Sequence, residues 1–277
     1  MCLIILTFSG GGTRAAAFSY GVMEGLKESH LKVKQQNINL LSLVDVISSV
    51  SGGSFTSAYY GLFGNKLFSH YEPEFLKSNI QSQLTRGLLF NPVNWFRFMS
   101  GSYSRSDLTA QLYQKKIFAD KTFADIRADS PAIMINATDI STGAGFSFTE
   151  ESFRWLCSDL RTFSVGKAVT ASSAVPVIFS PVLLKNHKGC KPFSFQVNDV
   201  KDDVRFKKHA LLMRNYMDKD TFPYLHLVDG GVADNLGVRA LLNQIYIQDN
   251  NFWQALKAYR LTNTKKVLFG SRQFSTF

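Results

Sequence analysis

Leu3-Ile4-Ile5-Leu6-Thr7-Phe8, closed by Ser9-Gly10-Gly11-Gly12, is the stretch that decides the fold. A short apolar run stopped by glycines reads as a buried strand of a parallel sheet. Residues 15–28 follow with Phe18, Val22 and Leu26 along one face, the spacing of a helix. The same grammar returns at residues 40–50, LLSLVDVISSV, which end in Ser51-Gly52-Gly53. Small residues and aromatics over 54–63 predict a tightly packed helix after that turn. Strand, glycine turn and helix thus occur twice in succession, which is the pattern of an α/β sheet.

Outward from this core the pattern is looser. Residues 71–118 look helical, with Ser106-Asp107 as the expected N-cap before 108–118. Ala132-Ile133-Met134-Ile135-Asn136-Ala137 is a third buried strand, and 145–153 alternates as a strand beside it. Residues 165–173 predict a helix that ends before Pro176, and the charged stretch 198–220 a surface helix or insertion. Leu225-His226-Leu227-Val228 is a fourth buried strand, stopped by Asp229-Gly230-Gly231, and 235–247 a last helix. No repeat, linker or low-complexity tract divides the chain, so residues 1–277 are expected to form one domain.

Composition narrows the class. With 45% hydrophobic residues, 277 residues can bury a sizeable core, which excludes disorder. The charge of +10 fits an anionic membrane, an acidic substrate, nucleic acid or simply a soluble basic surface. No nucleic-acid motif accompanies the basic residues, whose clusters are short (Lys115-Lys116, Lys207-Lys208, Lys265-Lys266), so nucleic acid is not expected as a partner. Three cysteines without paired spacing point to neither a disulfide framework nor a zinc site, although Cys157 and Cys190 could bridge in an oxidising compartment. No apolar run approaches the ~18 residues of a membrane-spanning helix. Residues 1–8 lack the basic region and cleavage site of a signal peptide.

Ser51 lies between a strand and a helix, where a sharp turn lifts a nucleophilic hydroxyl clear of the sheet. Gly52 and Gly53 keep side chains out of that turn. The usual G-x-S-x-G pattern has glycine two residues before the serine, where this chain has Ser49. An ordinary Ser/Gly helix cap would look the same in isolation. Gly10-Gly11-Gly12 with Arg14 occupies an equivalent turn, whose backbone N–H groups form an anion-binding nest suited to an oxyanion. Gly10, Gly12 and Ala15 also match the G-x-G-x-x-A fingerprint of dinucleotide folds, but no acid ends the second strand, where Asp45 is internal. Thr13-Arg14-Ala15 does not supply the Gly-Lys-Ser/Thr of a Walker loop.

No histidine follows Asp229, so a Ser-Asp-His order would have to draft Asp139 with His187, His209 or His226. His226 lies within an apolar strand, and His187 and His209 in polar segments. Asp229 ends a buried strand before two glycines, and side chains at strand C-termini converge on the crevice of an α/β sheet. A carboxylate there can serve as base if burial raises its pKa. A strand-end Asp capping its own turn is the plainer alternative.

The blocks GGGTR, SVSGGS and DGG, each after an apolar strand, together resemble the patatin-like phospholipases, as does Ala171-Ser172-Ser173-Ala174-Val175-Pro176 with Phe179 and Pro181. The resemblance covers about residues 3–245, and the flanking text is similar to the bacterial branch. It implies a three-layer α/β/α sandwich with a mainly parallel central sheet and a Ser–Asp dyad without histidine. Ser51 would be the nucleophile, Asp229 the base, and Gly10, Gly11, Gly12 and Arg14 the oxyanion loop, with no cofactor or metal. Implied substrates are phospholipids, lysophospholipids or other acyl esters, in an envelope-associated or secreted setting rather than a strictly cytoplasmic one. The tail, residues 250–277, departs from the family pattern and is expected to be divergent or shortened. A non-catalytic lipid-binding module on the same fold, or a dinucleotide-binding enzyme, are the rival functions. Peripheral contact with an anionic membrane is expected at Asn94-Trp95-Phe96-Arg97-Phe98-Met99, unless those aromatics are core residues of a helix.

Overall fold

In chain order the elements are β1 (Cys2–Phe8), α1 (Gly12–Glu28), β2 (His30–Val33), β3 (Gln36–Asn39), β4 (Val46–Val50), α2 (Gly52–Phe63), α3 (Arg105–Lys116), β5 (Ala132–Asp139), β6 (Ala144–Phe148), α4 (Glu150–Trp155), α5 (Val165–Ser173), β7 (Val182–Lys185), β8 (Tyr224–Asp229), α6 (Gly231–Asp234) and β9 (Lys266–Arg272). The computed structural model describes residues 2–33, 36–78, 104–190, 212, 214–242 and 266–272. The aromatic cluster at 94–99, His209, Lys207-Lys208 and most of the charged stretch 198–220 lie outside the described residues.

The apolar runs at 3–8 and 46–50 are adjacent parallel strands: β1 pairs with β4 from Ile5↔Val46 to Phe8↔Ser49. β5 continues the parallel core on the other edge of β4, from Val46↔Ala132 to Val50↔Asn136. The tail supplies β9, which pairs in parallel with β1. That strand is set by an available sheet edge, which the polar text around residues 266–272 does not advertise. Leu6, Phe8, Ile47 and Ile135 form one core with Ala16, Met23, Phe55, Ala58 and Val169 of the helices. Leu3, Ile5 and Val46 face the opposite side, against Leu241. Helices on both faces of a mixed sheet with a parallel core make the expected three-layer α/β/α fold.

The rest of the sheet is antiparallel. β6 pairs with residues 135–139 of β5 and β8 with residues 137–139. A strand has only two edges. β6 overlaps both β4 and β8 in register, so it holds one edge of β5 while β4 and β8 share the other. β4 and β8 therefore approach each other end to end, β4 stopping opposite Asn136 and β8 opposite Ala137. Asp229 ends β8, which runs antiparallel to β5 and so reaches this point from the direction opposite to β4.

Other boundaries also move. The run at 40–50 breaks into a 3₁₀ turn (Leu41–Leu43) before β4, with the Asp45 carboxylate accepting from Ile4 N at 2.8 Å. Helix α3 is capped by Ser104 rather than by Ser106-Asp107, with Asp107 completing a capping box from its third position. Residues 149–153 leave the strand pattern because Thr149 accepts from Ser152 N and Glu150 and Glu151 favour a helix start, giving α4. The last helix does not begin at 235: Gly237 turns with φ 67°, Asp234 accepts from Arg239 N, and 239–242 resume the helix. Residues 243–247 lie outside the described residues. The β2–β3 hairpin and β7 were not anticipated. Cys157 and Cys190 are joined in a disulfide, their Cα atoms 5.3 Å apart.

Candidate active site

Ser51 stands between β4 and α2 with φ 49° and ψ −118°, a region that costs a non-glycine residue of order 1–3 kcal/mol. Two contacts hold it there. Its N–H donates to Ser172 Oγ at 2.8 Å, and its hydroxyl donates to Asp229 Oδ2 at 2.7 Å. Ser172, fully buried on α5, donates in turn to Asn136 O at 2.6 Å, so Ser54 Oγ must be the donor in its 3.0 Å contact with Ser172 Oγ. This brace on the turn at Ser51 was missed from sequence, although Ser172 lies within the Ala-Ser-Ser-Ala-Val-Pro block.

The glycines after Ser51 are required by close approach. A Cβ on Gly52 would lie 2.0 Å from Gly12 O, and one on Gly53 2.6 Å from Phe8 Cβ. The N-terminus of α2 is therefore seated directly on the β1–α1 loop. Ser49 is accommodated without glycine: its buried hydroxyl lies 2.6 Å from Ser57 Oγ of α2 and 3.3 Å from Met134 O. The missing glycine thus leaves neither a clash nor an orphaned polar atom at this turn.

Asp229 is 8% exposed. Its Oδ1 accepts from Gly231 N at 2.7 Å, its backbone N–H donates to Ala174 O at 2.8 Å, and Thr138 Oγ1 donates to its carbonyl at 2.9 Å. Burial pushes the carboxyl above the usual Asp range, and the hydrogen bonds from Ser51 and Gly231 oppose that shift without cancelling it. A carboxylate so placed can take a proton from the hydroxyl it already accepts.

Gly10, Gly11 and Gly12 pass beside Ser51: a Cβ on Gly10 would meet Ser51 Cβ at 3.2 Å and Asn235 Oδ1 at 2.5 Å. The Gly10 N–H is committed to Asn235 O at 3.2 Å. Gly11 and Gly12 have φ of 139° and 65°, open α1, and are exposed together with Arg14. The N–H groups that begin a helix have no partner within it, which holds for those of Gly11 and Gly12 at the start of α1.

The alternative acid–histidine pairs do not assemble among the described residues. Asp139 accepts from Ser141 N and Thr142 Oγ1 in its own turn. His226 Nδ1 lies 3.4 Å from Ser141 Oγ, and His187 is exposed.

A three-layer α/β/α fold with a buried Ser–Asp pair under a glycine loop has the build of an acyl hydrolase. The family model of the Patatin-like phospholipases matches residues 6–242, and the chain belongs to that family. Its members are in general lipid acyl hydrolases, so a lipid substrate and hydrolytic chemistry come with the assignment. A search of the curated proteins found no match. No helix among the described residues is long and apolar enough to cross a membrane.

Proposed function

We propose that the protein releases fatty acids from phospholipids or lysophospholipids through a Ser51–Asp229 dyad and an acyl-enzyme. The observation that carries this reading is the 2.7 Å hydrogen bond from Ser51 Oγ to the buried Asp229 carboxylate. Asp229 takes the hydroxyl proton as Ser51 Oγ bonds to the ester carbonyl carbon, and the carbonyl oxygen becomes an oxyanion. The N–H groups of Gly11 and Gly12 stabilise it, aided by the helix dipole of α1. Gly10 contributes through its bond to Asn235, which fixes the loop, and exposed Arg14 attracts a lipid phosphate. Collapse breaks the ester C–O bond, and the leaving alcohol takes the proton from Asp229. Water, deprotonated by Asp229, then attacks the acyl-enzyme, releasing fatty acid and restoring Ser51. No step calls on a metal or cofactor. An envelope-associated or secreted setting is supported by the Cys157–Cys190 disulfide, which suits an oxidising compartment.

The test is fatty-acid release from a mixed phospholipid and lysophospholipid panel, paired with fluorophosphonate labelling. Ser51→Ala should abolish both, Asp229→Asn should abolish turnover in a folded protein, and His226→Gln should retain most of it. Silence of folded wild-type protein in both assays would leave the lipid-binding module as the function. A loss in His226→Gln equal to that in Ser51→Ala would overturn the dyad.

A further inference from the structure

The loop after α5 presents apolar side chains to solvent at the rim of this site. Val177 is 100% exposed, Ile178 61% and Val175 43%, and Val232 on α6 is 57% exposed. Solvent exposure of neighbouring large apolar side chains marks an interaction surface rather than chance. Both parts of the rim adjoin Asp229. Ala174, which precedes Val175, accepts the Asp229 N–H through its carbonyl, and Val232 is three residues beyond Asp229.

The loop is held, not loose. Phe179 N donates to Val175 O at 3.0 Å, Phe179 packs against the core, and Ser106 Oγ donates to Ser180 O. Val177 has φ 76°, a conformation that a β-branched residue adopts only when its surroundings impose it. No charged residue occurs between Lys167 and Lys185. Nothing ionised would be dragged into hydrocarbon if this loop were buried there.

From this arrangement we infer that Val175, Val177, Ile178 and Val232 form the face by which the protein docks on a lipid bilayer, delivering substrate directly to Ser51. The inference rests on the acyl-hydrolase reading above. Ser51 is only 5% exposed, so an ester must be drawn in past the residues around the Ser51–Asp229 pair, which these apolar side chains adjoin through Ala174 and α6. A protein partner seated on the rim would obstruct that passage, whereas a bilayer supplies what must pass. The charge of +10 adds attraction to an anionic surface.

The test compares wild type, a Val177→Ser/Ile178→Ser double variant and Ser51→Ala in sedimentation with vesicles of equal parts phosphatidylcholine and phosphatidylglycerol. Docking predicts that the double variant, with its melting temperature retained, binds roughly tenfold or more weakly, the effect of withdrawing one to two apolar side chains from hydrocarbon. Ser51→Ala should bind like wild type, because docking needs no chemistry. Turnover of vesicle phospholipid should fall in the double variant by roughly tenfold more than turnover of a monomeric short-chain ester. If wild type hydrolyses neither substrate yet the binding difference stands, the hydrolase reading fails and the docking face survives. Unaltered vesicle binding by the double variant overturns the inference. So does a lipid-free dimer that the same substitutions dissociate, since the rim would then be a self-interface.

Discussion

Replacing Ser172 by alanine should disable the nucleophile turn from a distance. The hydroxyl is fully buried and serves three groups at once: Ser51 N at 2.8 Å, Ser54 Oγ at 3.0 Å and Asn136 O at 2.6 Å. Each net hydrogen bond is worth about 1 kcal/mol, and the orphaned buried partners cost somewhat more, so about 3 kcal/mol of stability should be lost. With a urea slope of about 3 kcal/mol per molar, the unfolding midpoint should fall by about 1 M. The catalytic effect is separate. Released from its anchor, the Ser51 backbone can relax from φ 49°, carrying its hydroxyl away from Asp229. Displacement on the scale of 1 Å at a reacting group costs about 10²-fold in rate, so fluorophosphonate labelling of Ser51 should slow by that order. Ser173→Ala is the control, because among the described residues that hydroxyl bonds only within its own helix, to Val169 O and Thr170 O. If Ser172→Ala labels and unfolds like Ser173→Ala, the brace on Ser51 does not exist as described.

Three further outcomes follow from the same geometry. The raised pKa of Asp229 places the acid limb of kcat/KM above the ordinary aspartate value of about 3.9, and an acid limb at or below that value would refute the carboxylate as base. The stability linkage has a definite sign. The folded state holds the Asp229 proton more tightly than the unfolded state, so stability falls as pH rises from the unfolded towards the folded pKa, and Asp229→Asn should gain on wild type over that window in thermal melts. At Gly52, a methyl group would sit 2.0 Å from Gly12 O and 2.9 Å from Gly12 C, backbone atoms that cannot turn aside. Gly52→Ala should therefore displace the glycine loop, lowering kcat by about 10²-fold, as loss of an oxyanion donor does. Intact kcat in this variant would show that the loop tolerates the shift.

The parts of the fold legible in the sequence were those written locally. β1, β4 and β5 are apolar runs whose burial on both faces needs no knowledge of their neighbours, and the glycines after β1 and β4 punctuate them. Strand direction is not written locally. Nothing in Leu225-His226-Leu227-Val228 distinguishes a parallel from an antiparallel neighbour, and four-residue β7 gave too short a pattern to notice. Asp229 was singled out because it ends a buried strand before two glycines; β8 does end there, against Ser51, but its antiparallel direction could not be read from its residues. Ser172 escaped because a serine within a helix is locally unremarkable. Its importance lies in contacts with Ser51 and Asn136, 121 and 36 residues away.

The Ser51–Asp229 distance is fixed by where two strands stop along one edge of β5. β4 ends opposite Asn136 and β8 opposite Ala137, neighbouring positions on the same strand. A slip of one residue would move either end by about 3.3 Å and turn its side chains to the other face, so the hydrogen bond survives in a single register only. β5 itself carries the gauges. Asn136 Nδ2 donates to Ser48 Oγ at 2.9 Å and to Ser49 O at 3.0 Å, pinning the end of β4, while its Oδ1 accepts from Ser147 of β6 at 2.7 Å. Two residues on, Thr138 Oγ1 donates to Asp229 O and accepts from Ala233 N at 3.1 Å, pinning the end of β8. Both polar side chains are buried in a strand whose other residues, apart from the terminal Asp139, are apolar, and each would cost stability if unpaired. Misregister of β4 or β8 strands one of them, so the penalty that enforces correct pairing is also what sets the Ser51–Asp229 hydrogen bond.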